Sequence, residues 1–159
     1  MPANLDFCPN HAVELSDMRH WRQQTAALRM RSVLLADDEE SLRLLIYATL
    51  EDPDYQIFEA SDGDEALAMA REHRPDIMVL DWMMPGKTGV EVAALLRGEE
   101  ATRHTPIILL TAKSQQADIN TALEMGVTTY LVKPFSPVAL LDKVQEFLAG
   151  QPEHANGRR

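Results

Sequence analysis

The chain has 159 residues, 45% hydrophobic and 25% charged, the composition of a soluble globular protein with room for one full domain plus extensions rather than two ordinary domains. Its net charge of −10 argues against binding a nucleic-acid backbone, which needs clustered Lys and Arg, and the acidity is concentrated in residues 32–149, with 21 Asp or Glu against 9 Lys or Arg. No apolar run reaches the length of a membrane span, no signal-peptide core opens the chain, and a single cysteine, Cys8, excludes an internal disulfide, so the expected location is the cytosol, with no membrane insertion.

Residues 1–13 lack periodicity, and Pro2, Pro9 and Asn10 read as loop. From about residue 14 to 28, Leu15, Met18, Trp21, Thr25 and Leu28 recur at steps of three or four, which predicts an amphipathic helix with Arg19, Arg22 and Arg29 on its other faces. This leader, residues 1–31, is expected either to pack on the central domain or to present a partner or homodimer surface. Short apolar runs then alternate with amphipathic stretches. Strands are predicted at 32–36, 55–60, 76–80, 105–110 and 128–132, and helices at about 40–50, 64–72, 89–97, 115–125 and 136–148. Five β units alternating with five α units predict a doubly wound parallel sheet over residues 32–149. Pro53, Pro75 and Gly126 punctuate the boundaries, and residues 150–159, without apolar content, read as a flexible tail.

The first, third, fourth and fifth strands end in polar residues: Asp37 and Asp38, Asp81, Thr111, and Lys133. In a parallel sheet these ends share the carboxyl edge, where open α/β sheets bind ligands. Three carboxylates in one crevice call for a cation, and oxygen ligands without histidine or cysteine favour Mg2+. The Thr111 hydroxyl and Lys133 ammonium are the groups that hold phosphoryl oxygens, so the set predicts phosphoryl transfer onto Asp81 as nucleophile. Each residue alone has an ordinary structural explanation, as cap, strand end or turn. Their joint placement at four strand ends does not.

Residues 32 to about 149 resemble the receiver domain of the two-component response regulator family. The likeness rests on Asp37 and Asp38 after the first strand, DWMMPGKTG around Asp81, the Thr111-Ala112 pair, and YLVKPF from Tyr130 to Phe135. It implies a flavodoxin-like sheet of order 2-1-3-4-5, and a histidine kinase or histidine phosphotransfer protein that donates a phosphoryl group to Asp81. It also implies Mg2+ on Asp38, Asp81 and the Met83 backbone carbonyl, with Asp37 acting mainly through water. Thr111 and Lys133 would contact the phosphoryl oxygens, and the Lys133–Pro134 peptide would be cis. By the same resemblance Thr111 and Tyr130 form the switch that alters the face of the fourth helix, fifth strand and fifth helix for a downstream protein target. Met83 and Lys113 flank the path of an attacking water and would tune phosphoryl lifetime.

Other leads carry less. Cys8 and His11 lack a second pair of metal ligands, while His20, His73, His104 and His154 read as surface residues without partners, Trp82 as a surface residue beside the kinase-docking face, and Trp21 as the leader anchor. Three alternatives compete with a phosphorylation-controlled binding module. One is an aspartyl-phosphate phosphatase of the haloacid dehalogenase kind, disfavoured because Met83 stands where a second acid is needed and no cap domain is present. Another is a degenerate constitutive scaffold, disfavoured by the complete acid set. The third is a truncated receiver of a multidomain regulator.

Overall fold

The computed structural model describes residues 30–149. The leader helix, Cys8, His11, His20, Trp21 and the tail, including His154, lie outside the described residues. Five strands, β1 (Arg31–Ala36), β2 (Tyr55–Ala60), β3 (Ile77–Asp81), β4 (Ile107–Thr111) and β5 (Thr129–Val132), alternate with five helices: α1 (Glu40–Leu50), α2 (Gly63–His73), α3 (Gly89–Arg97), α4 (Gln116–Glu124) and α5 (Pro137–Ala149). The sheet has order β2-β1-β3-β4-β5 and every pairing is parallel, as the alternation of elements and the family likeness lead one to expect.

Strands β3 and β4 are buried along their whole length because helices cover both faces of the sheet. Successive residues therefore feed two cores. Leu34, Met78, Leu80, Ile107 and Leu109 join Ala66, Ala70, Val92, Ala93 and Leu96 of α2 and α3. Val33, Leu35, Ile77, Val79, Ile108 and Leu110 join Ile46 and Leu50 of α1 and Leu140, Val144 and Leu148 of α5. A one-residue slip of either central strand would exchange the two sets, so register is strongly specified.

The boundaries depart from the sequence reading where local chemistry intervenes. Strand β4 begins at Ile107, not residue 105, because Pro106 has no N–H for the ladder and the Thr105 N–H closes a turn onto Thr102. Strand β3 runs one residue further, to Asp81, in register with Leu110, and the ladder continues as Trp82 N–H donates to the Leu110 carbonyl at 2.8 Å. That continuation overturns the expectation for Trp82. Its side chain keeps the two-residue alternation of Met78 and Leu80 and enters the same core, only 9% exposed. His73 also has a partner: its ring stacks on Phe58 with centroids 3.9 Å apart and planes 12° from parallel.

Candidate functional site

The loops leaving β1, β3, β4 and β5 meet at the carboxyl edge of the sheet. Asp37 is fully buried, with its N–H on the Ala60 carbonyl at 3.1 Å, and one carboxylate oxygen, Oδ1, accepts from the Glu39 N–H at 2.9 Å. Its own carbonyl accepts from the Arg43 guanidinium at 2.7 Å. Asp38, next in sequence, is exposed, and Asp81 is 6% exposed at the end of β3. Carboxylate oxygens of Asp37, Asp38 and Asp81 all lie within 4.8 Å of one another.

Among the described residues, the Lys133 ammonium reaches into this group. Lys133 Nζ lies 3.0 Å from Asp81 Oδ1 and 3.4 Å from Asp37 Oδ2, and its own N–H is tied to the Thr111 carbonyl at 2.7 Å. Burial pushes the Asp81 carboxyl up from 3.8 to about 6, the Lys133 hydrogen bond and charge oppose the rise, and the charges of Asp37 and Asp38 add to it. For Lys133, burial works against the ammonium, but the hydrogen bonds and charges of Asp81 and Asp37 prevail, and its pKa is raised. Three carboxylates against one ammonium leave an excess of negative charge on hard oxygen donors, and that donor set fits a divalent cation of the magnesium type.

Thr111 is buried at the end of β4. Its hydroxyl oxygen accepts from the Lys113 N–H at 2.8 Å, which leaves its own O–H free to donate. Tyr130, opposite Leu109 in the β4–β5 register, is half-buried against the core under α2 and α3. Met83 is 61% exposed, and the Lys113 ammonium sits 4.7 Å from the centre of the Trp82 ring. The Lys133–Pro134 peptide is cis. The structure thus gathers Asp37, Asp38 and Asp81 into one cluster, with Lys133 paired to Asp37 and Asp81. Thr111 adjoins them through its backbone bond to Lys133, while the Met83 and Lys113 side chains stand at the exposed rim.

Sequence reasoning missed Arg43, which pins the Asp37 carbonyl and pairs with Glu59 at 3.3 Å. An arginine that serves a backbone oxygen leaves no pattern in the sequence except its position one helical turn beyond an acid pair.

The match to the model of the response regulator receiver domain covers residues 33–145. Among curated relatives, the phosphate regulon transcriptional regulatory protein PhoB of Pseudomonas aeruginosa is 38% identical over 118 residues, which are 74% of this chain and 52% of PhoB. The transcriptional regulatory protein ResD of Bacillus subtilis is 42% identical over 126 residues, 78% of this chain and 51% of ResD. The chain therefore spans about half the length of these curated relatives. Among solved structures, the chemotaxis response regulator CheY4 of Vibrio cholerae superposes with a TM-score of 0.70 at 37% identity, covering 74% of this chain and 98% of CheY4. The receiver domain of the Pseudomonas aeruginosa sensor histidine kinase PA1611, solved with a magnesium ion coordinated in its active-site cleft, gives a TM-score of 0.70 at 30% identity, covering 76% and 99% of the two chains. No helix among the described residues is long and apolar enough to cross a membrane. The chain belongs to the response regulator receiver-domain family, the signalling domains of two-component systems.

Proposed function

We propose that Asp81 accepts a phosphoryl group from a histidine kinase or histidine phosphotransfer protein, and that the modified domain switches its α4–β5–α5 face to control binding of a protein partner. The observation that carries this reading is the buried Asp81 carboxylate 3.0 Å from the Lys133 ammonium, with two further carboxylates within 4.8 Å. Asp38, Asp81 and the Met83 carbonyl would hold Mg2+, with Asp37 acting mainly through water, and the magnesium in the PA1611 cleft supports the same ion here. When bound, that ion neutralises charge on the transferring phosphoryl oxygens.

A carboxylate oxygen of Asp81 attacks phosphorus, an O–P bond forms, the donor's N–P bond breaks, and the imidazole leaves with the electron pair. The Thr111 O–H, free to donate, and the Lys133 ammonium bind the phosphoryl oxygens. As Thr111 moves toward the group, the Tyr130 ring takes the vacated space, a shift between two packings driven by contacts present only in the phosphorylated state. A thioether at Met83 cannot orient a water by a strong hydrogen bond, so self-dephosphorylation is slow and reset depends on a phosphatase or on reverse transfer. In this reading residues 32–149 form the receiver unit between an extension and a tail. It works in the cytosol as a phosphoacceptor that assists its own phosphorylation and dephosphorylation, not as a turnover enzyme.

Intact mass after incubation with acetyl phosphate tests the proposal. A gain of one phosphoryl group that needs both Mg2+ and Asp81, and is lost in Asp81→Asn, supports it. No gain from acetyl phosphate or from a cognate kinase sinks it in favour of a constitutive scaffold. On the labelled protein, Tyr130→Ala that still binds its partner in full removes the switch role, and Met83→Asn with an unchanged decay rate removes the lifetime role.

A further inference from the structure

The turn between β2 and α2 holds none of the acids, yet it touches both loops that carry them. On one side the Ala60 carbonyl accepts the Asp37 N–H at 3.1 Å, and on the other the Gly63 N–H donates to the Pro85 carbonyl at 3.1 Å. The turn is itself stiff. Asp62 caps α2 through the Glu65 N–H at 2.7 Å, and the Glu65 carboxylate returns to the Ser61 N–H at 2.8 Å. Approach to the β3–α3 loop is so close that a Cβ on Gly63 would overlap the Lys87 carbonyl. In that loop Gly86 sits at φ 78°, and a Cβ there would meet the Asp64 carboxylate, which pairs with Lys87 Nζ at 2.7 Å.

From this double attachment we propose that the β2–α2 turn is a brace that sets the spacing of the two acid-bearing loops and so the affinity of the site for Mg2+, with Gly63 as its required positioning residue. The inference rests on the reading that Asp37, Asp38 and Asp81 hold that ion. Mg2+ demands near-ideal octahedral geometry at short distances, so a displacement of the β3–α3 loop by a few tenths of an ångström is felt in binding. No smaller residue than glycine exists to maintain the contact, and any side chain at 63 must push the β3–α3 loop and the β2–α2 turn apart.

The test uses the full chain carrying Trp21→Phe, which leaves Trp82, beside Asp81, as the single tryptophan. Mg2+ is titrated against Trp82 fluorescence, and thermal melting without Mg2+ reports the fold. Gly63→Ala is expected to raise the Mg2+ dissociation constant by about ten- to a hundredfold, the range for groups that orient metal ligands. Lys87→Met, which removes only an exposed ion pair, should raise it by about two- to threefold. Ala70→Gly, buried in α2 away from both loops, lowers the melting temperature and leaves the constant unchanged, which separates bracing from general destabilisation. Parent-like affinity in Gly63→Ala overturns the brace, and if that variant is unfolded, parent-like affinity in Lys87→Met does so. A parent chain that binds no Mg2+ overturns the metal reading itself, and the brace falls with it.

Discussion

The two edges of the sheet handle charge in opposite ways. At the carboxyl edge, three carboxylates cluster, two of them, Asp37 and Asp81, paired with the Lys133 ammonium, and Asp81 is held with its pKa raised to about 6. At the amino edge, the Arg97 guanidinium lies among neutral oxygens. It donates to the Gly126 carbonyl at 2.8 Å, to the Thr102 and Arg103 carbonyls at 3.1 Å each, and to the Thr128 hydroxyl at 3.1 Å. Burial lowers the Arg97 pKa, but guanidinium stays charged at any ordinary pH. On the same edge, at the start of β1, Arg31 donates to the Leu148 carbonyl at 3.0 Å, and Asp76 accepts from the Ser32 N–H at 2.8 Å. One edge spends its polar groups on closing loops. The other leaves like charges facing each other, which is destabilising in the absence of a cation, and strain of that kind concentrates at working sites.

If this division is right, substitutions at the two edges should move stability in opposite directions. A large effect is expected from Arg97→Met, which takes the guanidinium away from the Gly126, Thr102 and Arg103 carbonyls and should lower stability by about 2–3 kcal/mol, while the folded fraction keeps its phosphoryl acceptance. Urea unfolding beside an intact-mass assay checks both halves, and an unchanged midpoint would break the comparison. Asp81→Asn should raise stability in Mg2+-free buffer at neutral pH, by at most about 3 kcal/mol on the scale of the shift from 3.8 to about 6. The sign comes from proton counting. Between those two values the folded chain keeps a proton that the unfolded chain has lost, so stability contributed by Asp81 falls as pH rises from about 4 to about 6 and stays lower above. The measurement is the urea midpoint against pH for both proteins, and parallel curves across that window would refute the assignment. The smallest effect concerns the rim: Lys113→Met should remove a cation–π contact of about 0.5–1 kcal/mol and shift Trp82 emission in the Trp21→Phe background, whereas Lys113→Arg should preserve it.

Much of this architecture is legible in the order of residue types. Apolar runs such as IMVL and IILL, bounded by Pro and Gly and separated by helical spacing, leave little besides parallel βα units, and the acids at the strand ends then share an edge by topology alone. Other features are not legible, for physical reasons. Trp82 reads as a surface residue because its burial depends on one extra ladder bond, and such a bond requires a distant strand, β4, to reach as far as Leu110. Arg43 and Arg97 look like helix-surface charges because their partners are backbone oxygens, which every residue carries. Gly63 looks like an ordinary helix start until the β3–α3 loop is laid against it.

The sequence by itself determined the fold class, the strand ends that bear polar groups and the charge imbalance between them, because hydrophobic period and residue type act locally and are written in order along the chain. Only the tertiary structure decided how close the acids stand, which oxygen Lys133 holds, and where backbone meets backbone at Gly63. Those distances depend on how loops separated by tens of residues pack, and no local preference encodes them.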